Sequence, residues 1–311
     1  MKTCLIFICL MITTLSVKIL STQENYIDKI LESFNDSPKK ELFKVYHFLY
    51  EKKYDLNSEE GVKRYKIFKE NMKRYKEHNS KDSNYILGID SFADLTQEEF
   101  EKTYLKKIET TSDQLFGTNF IEQTVDTTSL QWANIDYSDF WDGVKNQGEC
   151  GACYAFAVSG NIEGNYYKTF KKSINLSVQE MISCDDTNHK CDGGQGVQTI
   201  KYIYKNGAAD TKDFRYGSSF NQVPKCKPVP KYDVVESIET CRFNCNKDLI
   251  YKMLQNGPVE VSMDGKGIQG YKGGLYKYDC KESNHAVVVV GYIRNSNKYG
   301  SYWIVRNSYG P

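Results

Sequence analysis

The chain opens on a short apolar run, Leu5 to Ile12, preceded by Lys2 and followed by small and polar residues. That is the pattern of a secretory signal peptide, too short to span a bilayer, with cleavage expected between Ser16 and Ser21. From there to about residue 100 the apolar positions fall at helical spacing. Leu42, Val45, Tyr46 and Leu49 follow i, i+3, i+4, i+7, and Tyr65, Phe68, Met72 and Tyr75 form a second stripe. Ser58-Glu59-Glu60 supplies a start signal for the second helix, and Leu95 to Phe100 reads as a further capped helix. Residues 106–128 lose this periodicity and read as an exposed linker of the kind proteases cut. Past residue 129 helical and strand patterns follow one another. Phe156, Ala157, Ile162 and Tyr166 mark the inward positions of a helix starting near Cys153, and Ser177-Val178-Gln179-Glu180 reads as a capping box. Asn256 to Met263 and Tyr271 to Tyr276 read as turn–strand units, and Val287 to Val290 as a buried strand.

Composition narrows the class without deciding it. The chain has 311 residues, room for one large or two modest domains, and 41 basic against 40 acidic side chains give a net charge of +1. No global field argues for nucleic acid or a membrane surface as a partner. The cysteines are more informative. Apart from Cys4 and Cys9 in the apolar run, all lie between Cys150 and Cys280. A cysteine-free stretch followed by a cysteine-dense one points to a disulfide-stapled region made in an oxidising compartment.

The candidate chemistry centres on Gln147-Gly148-Glu149-Cys150-Gly151-Ala152-Cys153-Tyr154-Ala155-Phe156, a glycine-marked turn running into a helix. Unpaired N–H groups and the positive end of the helix dipole converge at such a junction and favour thiolate over thiol. A cysteine there is as readily a buried structural residue unless a base lies nearby. His285 precedes the valine run and, alone, would be a histidine at the edge of the core. Cys184, Cys191 and His189 lack a fourth ligand, so no metal is expected.

Taken together, these stretches resemble the papain family of cysteine peptidases. Gln-Gly-x-Cys-Gly-x-Cys-x-Ala-Phe at 147–156, His-Ala-Val-x-x-Val-Gly-Tyr at 285–292 and the Asn307-Ser308-Tyr309-Gly310 block are similar to its three signatures, with Tyr154 and Tyr309 where Trp is usual. Upstream, Glu60, Arg64, Phe68, Asn71, Tyr75 and Asn79 share one helical face and resemble the ERFNIN row of the family's inhibitory propeptides. Gly88 to Asp94 resembles the second propeptide motif, with Asp90 in place of Asn. The resemblance implies an α+β fold of papain-like type: a helical lobe and a β-barrel-like lobe with a cleft between them, preceded by a helical propeptide. It implies Cys153 as nucleophile, His285 as base and acid, Asn307 as its orienting partner and Gln147 as an oxyanion-hole donor. It further implies disulfides Cys150–Cys191 and Cys184–Cys226, and substrate contacts from Gly193, Gly194, Gln195, Gly196, Ser262 and Ala286. Gln195 and Gly196, where apolar side chains are common, suggest a wider and more polar specificity pocket that gives no clear chemical bias.

The expected organisation is a signal peptide at 1–21, an inhibitory propeptide at 22–125 and a peptidase domain at 126–311, with maturation near Glu122 to Thr128. The family normally continues for some tens of residues past the position of Pro311, so the domain is expected to be incomplete and Cys241, Cys245 and Cys280 have no assigned pairing. The expected activity is hydrolysis of peptide bonds in peptide or protein substrates by a monomeric zymogen. Its own propeptide is the intramolecular inhibitor, no cofactor is needed, and the location is the secretory pathway, lysosome or vacuole, or extracellular space. The alternative is an inactive or truncated homologue serving as a binding or inhibitory protein.

Overall fold

The computed structural model describes residues 38–81, 83–106, 108, 131–236, 247–277 and 282–310. The signal-peptide run, the maturation region and Cys241, Cys245 and Cys280 lie outside them. The chain forms two compact units, one comprising the described residues up to Glu77 plus Ser91–Leu95, the other 78–90 plus 96–310.

The first unit is built on α1 (Pro38–Leu49) and most of α2 (Glu59–Asn79). Its centre is aromatic: Phe43 and Tyr46 pack on Phe68 at ring distances of 5.3 and 4.9 Å. This sets the inward face of α1 differently from the sequence expectation. Val45 and Leu49 are exposed, at 48% and 49%, because Phe43 together with Tyr46 fills the inward position. The motif residues act through polar bonds. Asn71 donates to the carbonyls of Ala93 and Leu95 at 2.9 and 2.8 Å, and Arg64 donates to that of Asp94 at 3.1 Å while pairing with Glu60. The buried Asp94 carboxylate accepts from Tyr46 and Tyr54 hydroxyls and from Lys52. A buried carboxylate so surrounded is an anchor for the 91–95 turn.

The second unit begins with the end of α2, where Asn79 exchanges two hydrogen bonds with Leu87. Next come β1 (Tyr85–Leu87), paired antiparallel with β4 (Tyr271–Gly274), and α3 (Gln97–Tyr104). Asp90 accepts the Gly270 N–H at 2.6 Å, so the acid standing at the usual Asn position still holds this turn. A full capping box between Thr96 and Glu99 starts α3. The main sheet is centred on β5 (His285–Ser296). One edge of β5 pairs with β3 (Val259–Met263) and then β2 (Ile135–Asp136); the other pairs with β6 (Gly300–Arg306). Val287 to Val290 are all buried, which is why the strand is a continuous apolar run and not an alternation.

Against the sheet lies α4 (Cys153–Phe170), whose first eight residues are buried on every side. It is followed by α5 (Val178–Cys184), α6 (Gly196–Asn206) and α7 (Lys247–Asn256). Ser177 caps α5 through its hydroxyl and the Glu180 N–H, but the expected return bond of a capping box is not made. The Ser177 N–H donates instead to Ala209 O, and Glu180 is drawn to Tyr202 and Lys231. Disulfides join Cys150 to Cys191 and Cys184 to Cys226.

Candidate active site

Cys153 is the first residue of α4, reached through a turn at Gly148, whose φ of +58° and close approach to the Ser219 backbone leave no room for a Cβ. The Cys150–Cys191 bond and a Gly151 N–H to Cys191 O bond of 2.9 Å staple this turn to the Gly193–Gly194 loop. Cys153 is the one free cysteine among the described residues.

His285 reaches the same place from the start of β5, and Asn307 from the end of β6. The C-terminal block is tied to the cysteine loop by the Gln147 N–H to Ser308 O bond (2.9 Å), the Gly310 N–H to Lys145 O bond (3.1 Å) and a bridge between Asn146 and Tyr309. Backbone N–H groups of Ala286 and Tyr154 point at the Cys153 sulfur, so the thiol lies beside the first residues of β5.

The imidazole geometry defines its proton inventory. His285 Nε2 lies 2.8 Å from Asn307 Oδ1, an oxygen that also accepts the Ser308 N–H at 2.8 Å. An amide oxygen only accepts, so Nε2 carries the proton and Nδ1 holds the lone pair. Nδ1 is buried and has no hydrogen-bond partner among the described residues. Tyr309 stacks on the ring at 5.1 Å and 25°, and Phe100 and Tyr104 of α3 meet Tyr309 edge-on. The smaller aromatic therefore still covers the histidine. Gln147 is fully buried. Its amide oxygen accepts from Ser308 Oγ (2.6 Å), and its nitrogen donates one proton to Cys150 O (2.9 Å), leaving a second N–H uncommitted among the described residues.

Electrostatically, the sequence expectation of a thiolate is reversed in this closed form. Burial pushes the Cys153 thiol up to about 11 and the His285 imidazole down to about 4. Both shifts favour the neutral pair, because a dry site disfavours each charged form more than the α4 terminus favours the anion. The cover is the chain just after α3. Lys106 and Ile108 N–H groups donate to Asn284 O and Ser283 O at 3.0 Å each. The Lys106 side chain lies where Cβ atoms on Gly151 and Gly193 would be, and Leu105 lies against Gly265, whose other neighbour is His285.

The remaining sequence candidates fall around this point. Gly193, with φ of +108°, is the glycine Lys106 crosses, and Gly194 leaves space for Asn188. Gln195 precedes α6, and its N–H donates to Asn188 Oδ1 at 2.7 Å. Ser262 on β3 is directly opposite Ala286, as Met263 is opposite His285. One residue was missed. Glu260 faces the same side of β3 as Ser262, and its carboxylate lies against Gly196. The strict alternation Val259-Glu260-Val261-Ser262 was the available signal. No group of three or more candidate metal ligands occurs among the described residues, and no helix among them is long and apolar enough to cross a membrane.

Comparison with known proteins places this geometry. Residues 127–311 match the papain family cysteine protease model, and residues 43–100 match the cathepsin propeptide inhibitor domain. The chain is 34% identical over 264 residues to Probable cysteine protease RDL3 of Arabidopsis thaliana, covering 81% of this chain and 69% of that protein. It is 32% identical over 310 residues to Probable cysteine protease RD21B of the same plant, covering 95% of this chain and 65% of that one. Among solved structures, a recombinant stem bromelain precursor superimposes with a TM-score of 0.75 at 28% identity, covering 88% of each chain.

Proposed function

The chain belongs to the papain family of cysteine proteases, and on that premise we propose that it is a cysteine endopeptidase made as a zymogen, with Cys153 as nucleophile and His285 as its base and acid. The observation that carries this reading is the state of His285: one ring nitrogen is fixed by Asn307 and the other is buried and unpartnered among the described residues, while the N–H of the next residue, Ala286, is bonded to the Cys153 sulfur.

The steps follow from that inventory. His285 Nδ1 takes the Cys153 proton as the sulfur bonds to the substrate carbonyl carbon. The carbonyl π electrons move onto oxygen, which is met by the free Gln147 N–H and the Cys153 backbone N–H. Preorganised donors of this kind contribute about 3–4 kcal/mol each to transition-state stabilisation. The C–N bond then breaks, and the imidazolium gives its proton to the departing amine. Water attacks the thioester with His285 as base, and C–S cleavage restores the thiol. Asn307 keeps the ring in the tautomer that leaves Nδ1 basic.

The organisation we assign is a leader at 1–21, an inhibitory propeptide at 22–125 and a peptidase domain at 126–311. Lys106 lies over Gly193 and Leu105 beside His285, and the 43–100 match to an inhibitor domain supports the same role for the region before them. Gly193, Gly194, Gln195, Gly196, Ser262 and Ala286 line the path of a peptide substrate. The two disulfides support folding in the secretory pathway, with a vacuolar or extracellular destination, and the enzyme acts as a monomer. The test is peptide hydrolysis by the protein after removal of the propeptide. Activity is expected in the wild-type protein and loss of it in His285→Ala. A fully active His285→Ala protein would remove the mechanism.

A further inference from the structure

Residues of α4, α6, the 233–236 segment and the start of β3 line a solvent-open cavity of about 530 Å³, in the size range that accepts a side chain or small ligand. Its lining is mixed: Val158, Ile162, Val197 and Ile200 give apolar surface, and Asn161 and Asn165 give amides. Its charge is of one sign. Glu260 lies inside, Asp233 and Glu236 stand at exposed positions of the lining, and no Lys, Arg or His is among the lining residues.

Glu260 is the unusual member. Among the described residues the buried carboxylates are partnered: Asp94 by Lys52 and two tyrosines, Glu163 by Lys145, Glu180 by Lys231 and Tyr202, Asp185 by Thr187, Asn188 and Thr199, and Asp264 by Asn284 and the Lys266 N–H. Glu260 makes no hydrogen bond or ion pair among the described residues. Its position depends on Gly196, since a Cβ there would lie 2.6 Å from Oε1 and 2.9 Å from Oε2. That contact sets the carboxylate at the first residue of α6, two positions after Gly194. It also brings the group near the reacting atoms, because the Glu260 charge is felt at the Cys153 thiol, and Ser262 on the same face is opposite Ala286.

We propose that Glu260 is a specificity-determining residue: its carboxylate receives the cationic side chain of an arginine or lysine of the peptide substrate, which enters the cavity past Gly196. This rests on the cysteine-peptidase reading above. A carboxylate without a counter-ion and partly withdrawn from water favours its neutral form more than a solvated one, and desolvation pushes Glu260 up to about 7. A guanidinium or ammonium entering the cavity supplies the missing charge and hydrogen bonds, and the amides and outer acids add to its recognition. A leucine of similar size would fill the apolar walls and leave the carboxylate unpaired. Discrimination therefore comes from the penalty on the wrong side chain as much as from the gain on the right one.

The test uses the processed enzyme, normalised by titration of its reactive thiol, and fluorogenic peptides in which each of the three residues before the scissile bond is in turn Arg, Lys, Leu or Phe. At one position Arg is expected to exceed Leu in kcat/KM by roughly ten- to hundredfold, and the ratio is expected to collapse towards 1 in Glu260→Gln. A leucine preference at all three positions, or an Arg advantage that survives Glu260→Gln in a protein of unchanged melting temperature, overturns the assignment. A second measurement is independent of catalysis: arginine amide and norleucine amide are titrated onto the intact Cys153→Ala chain with and without Glu260→Gln. Glu260-dependent binding of arginine amide alone is the expected result, and equal response to both amides, or to neither, overturns the cation site. If no peptide is cleaved while that binding is present, the peptidase reading fails and the cation site stands.

Discussion

Helix α4 carries two buried polar clusters that differ in how completely they are bonded. Two turns in, the Lys145 ammonium spends all three protons, on Ser159 Oγ (2.9 Å), Glu163 Oε1 (2.6 Å) and Leu176 O (3.2 Å), and the same Glu163 oxygen also accepts from Ser159 and from the Leu176 N–H. At the N-terminus of the helix the polar groups are just as buried but unfinished. His285 Nδ1 has no partner, Gln147 keeps one N–H uncommitted, and the Cys153 thiol is free. Buried polar atoms are normally satisfied, so the closed cluster reads as a rivet between α4 and the chain around it, and the open one as a place prepared for reacting atoms. Glu260 belongs with the open set. It is a half-buried carboxylate on the cavity wall that, unlike the buried Glu163, has no cation among the described residues.

The comparison can be broken by substitutions that separate stability from chemistry. The largest effect is expected from Cys153→Ala, which should lower kcat by roughly 10⁵-fold or more while leaving the urea midpoint unchanged within error. Lys145→Met is its mirror image. It strands the buried Glu163 charge and should cost about 3–5 kcal/mol in urea unfolding, with folded molecules retaining a competent thiol. Gln147→Ala should lower kcat by roughly 10²–10³-fold, with KM much less affected, if its spare N–H serves the transition state and not the ground state. Loss of stability without loss of rate in Gln147→Ala would move that residue to the structural class.

Acid probes the open cluster through His285. The folded pKa of His285, about 4, lies below its ordinary 6.5, so between these values the unfolded chain binds a proton that the closed form refuses. Its contribution is fully present above pH 6.5 and is lost as pH falls towards 4, on the order of 3 kcal/mol in total. The chain at Leu105 and Lys106 should thus loosen in that window. Amide exchange at Lys106, whose N–H is bonded to Asn284 O, should rise as pH falls below 6.5 once corrected for intrinsic rates, and His285→Gln should flatten the dependence.

Much of this site was legible in the sequence because each component sits at an element boundary with a distinctive local pattern. Cys153 follows a glycine turn, His285 begins a valine strand, and Asn307 ends the next strand. The motif face of α2 was legible for the same reason, and the structure adds what the row does: Asn71 and Arg64 hold the backbone of 93–95. What sequence periodicity could not supply was tertiary choice. The face of α1 was misplaced because two aromatic rings, Phe43 and Phe68, outcompeted the aliphatic stripe. The Ser177 box failed because Ala209 O and Tyr202 offered partners from remote positions. The raised pKa of the thiol followed from its burial in the folded chain, and the contact of Glu260 with Gly196 joins positions 64 apart in the sequence.

In the proposed mechanism Cys153 is a nucleophile held covered until the propeptide leaves. The direct measurement is mass-spectrometric labelling by a peptidyl epoxide, comparing intact protein at pH 7 with protein cleaved near residues 122–128. Rapid, stoichiometric modification of Cys153 is expected in the cleaved protein and little in the intact chain, with His285→Ala slowing the cleaved form. Equal labelling of intact and cleaved protein would contradict the cover, and an unlabelled Cys153 in cleaved, folded protein would contradict the nucleophile.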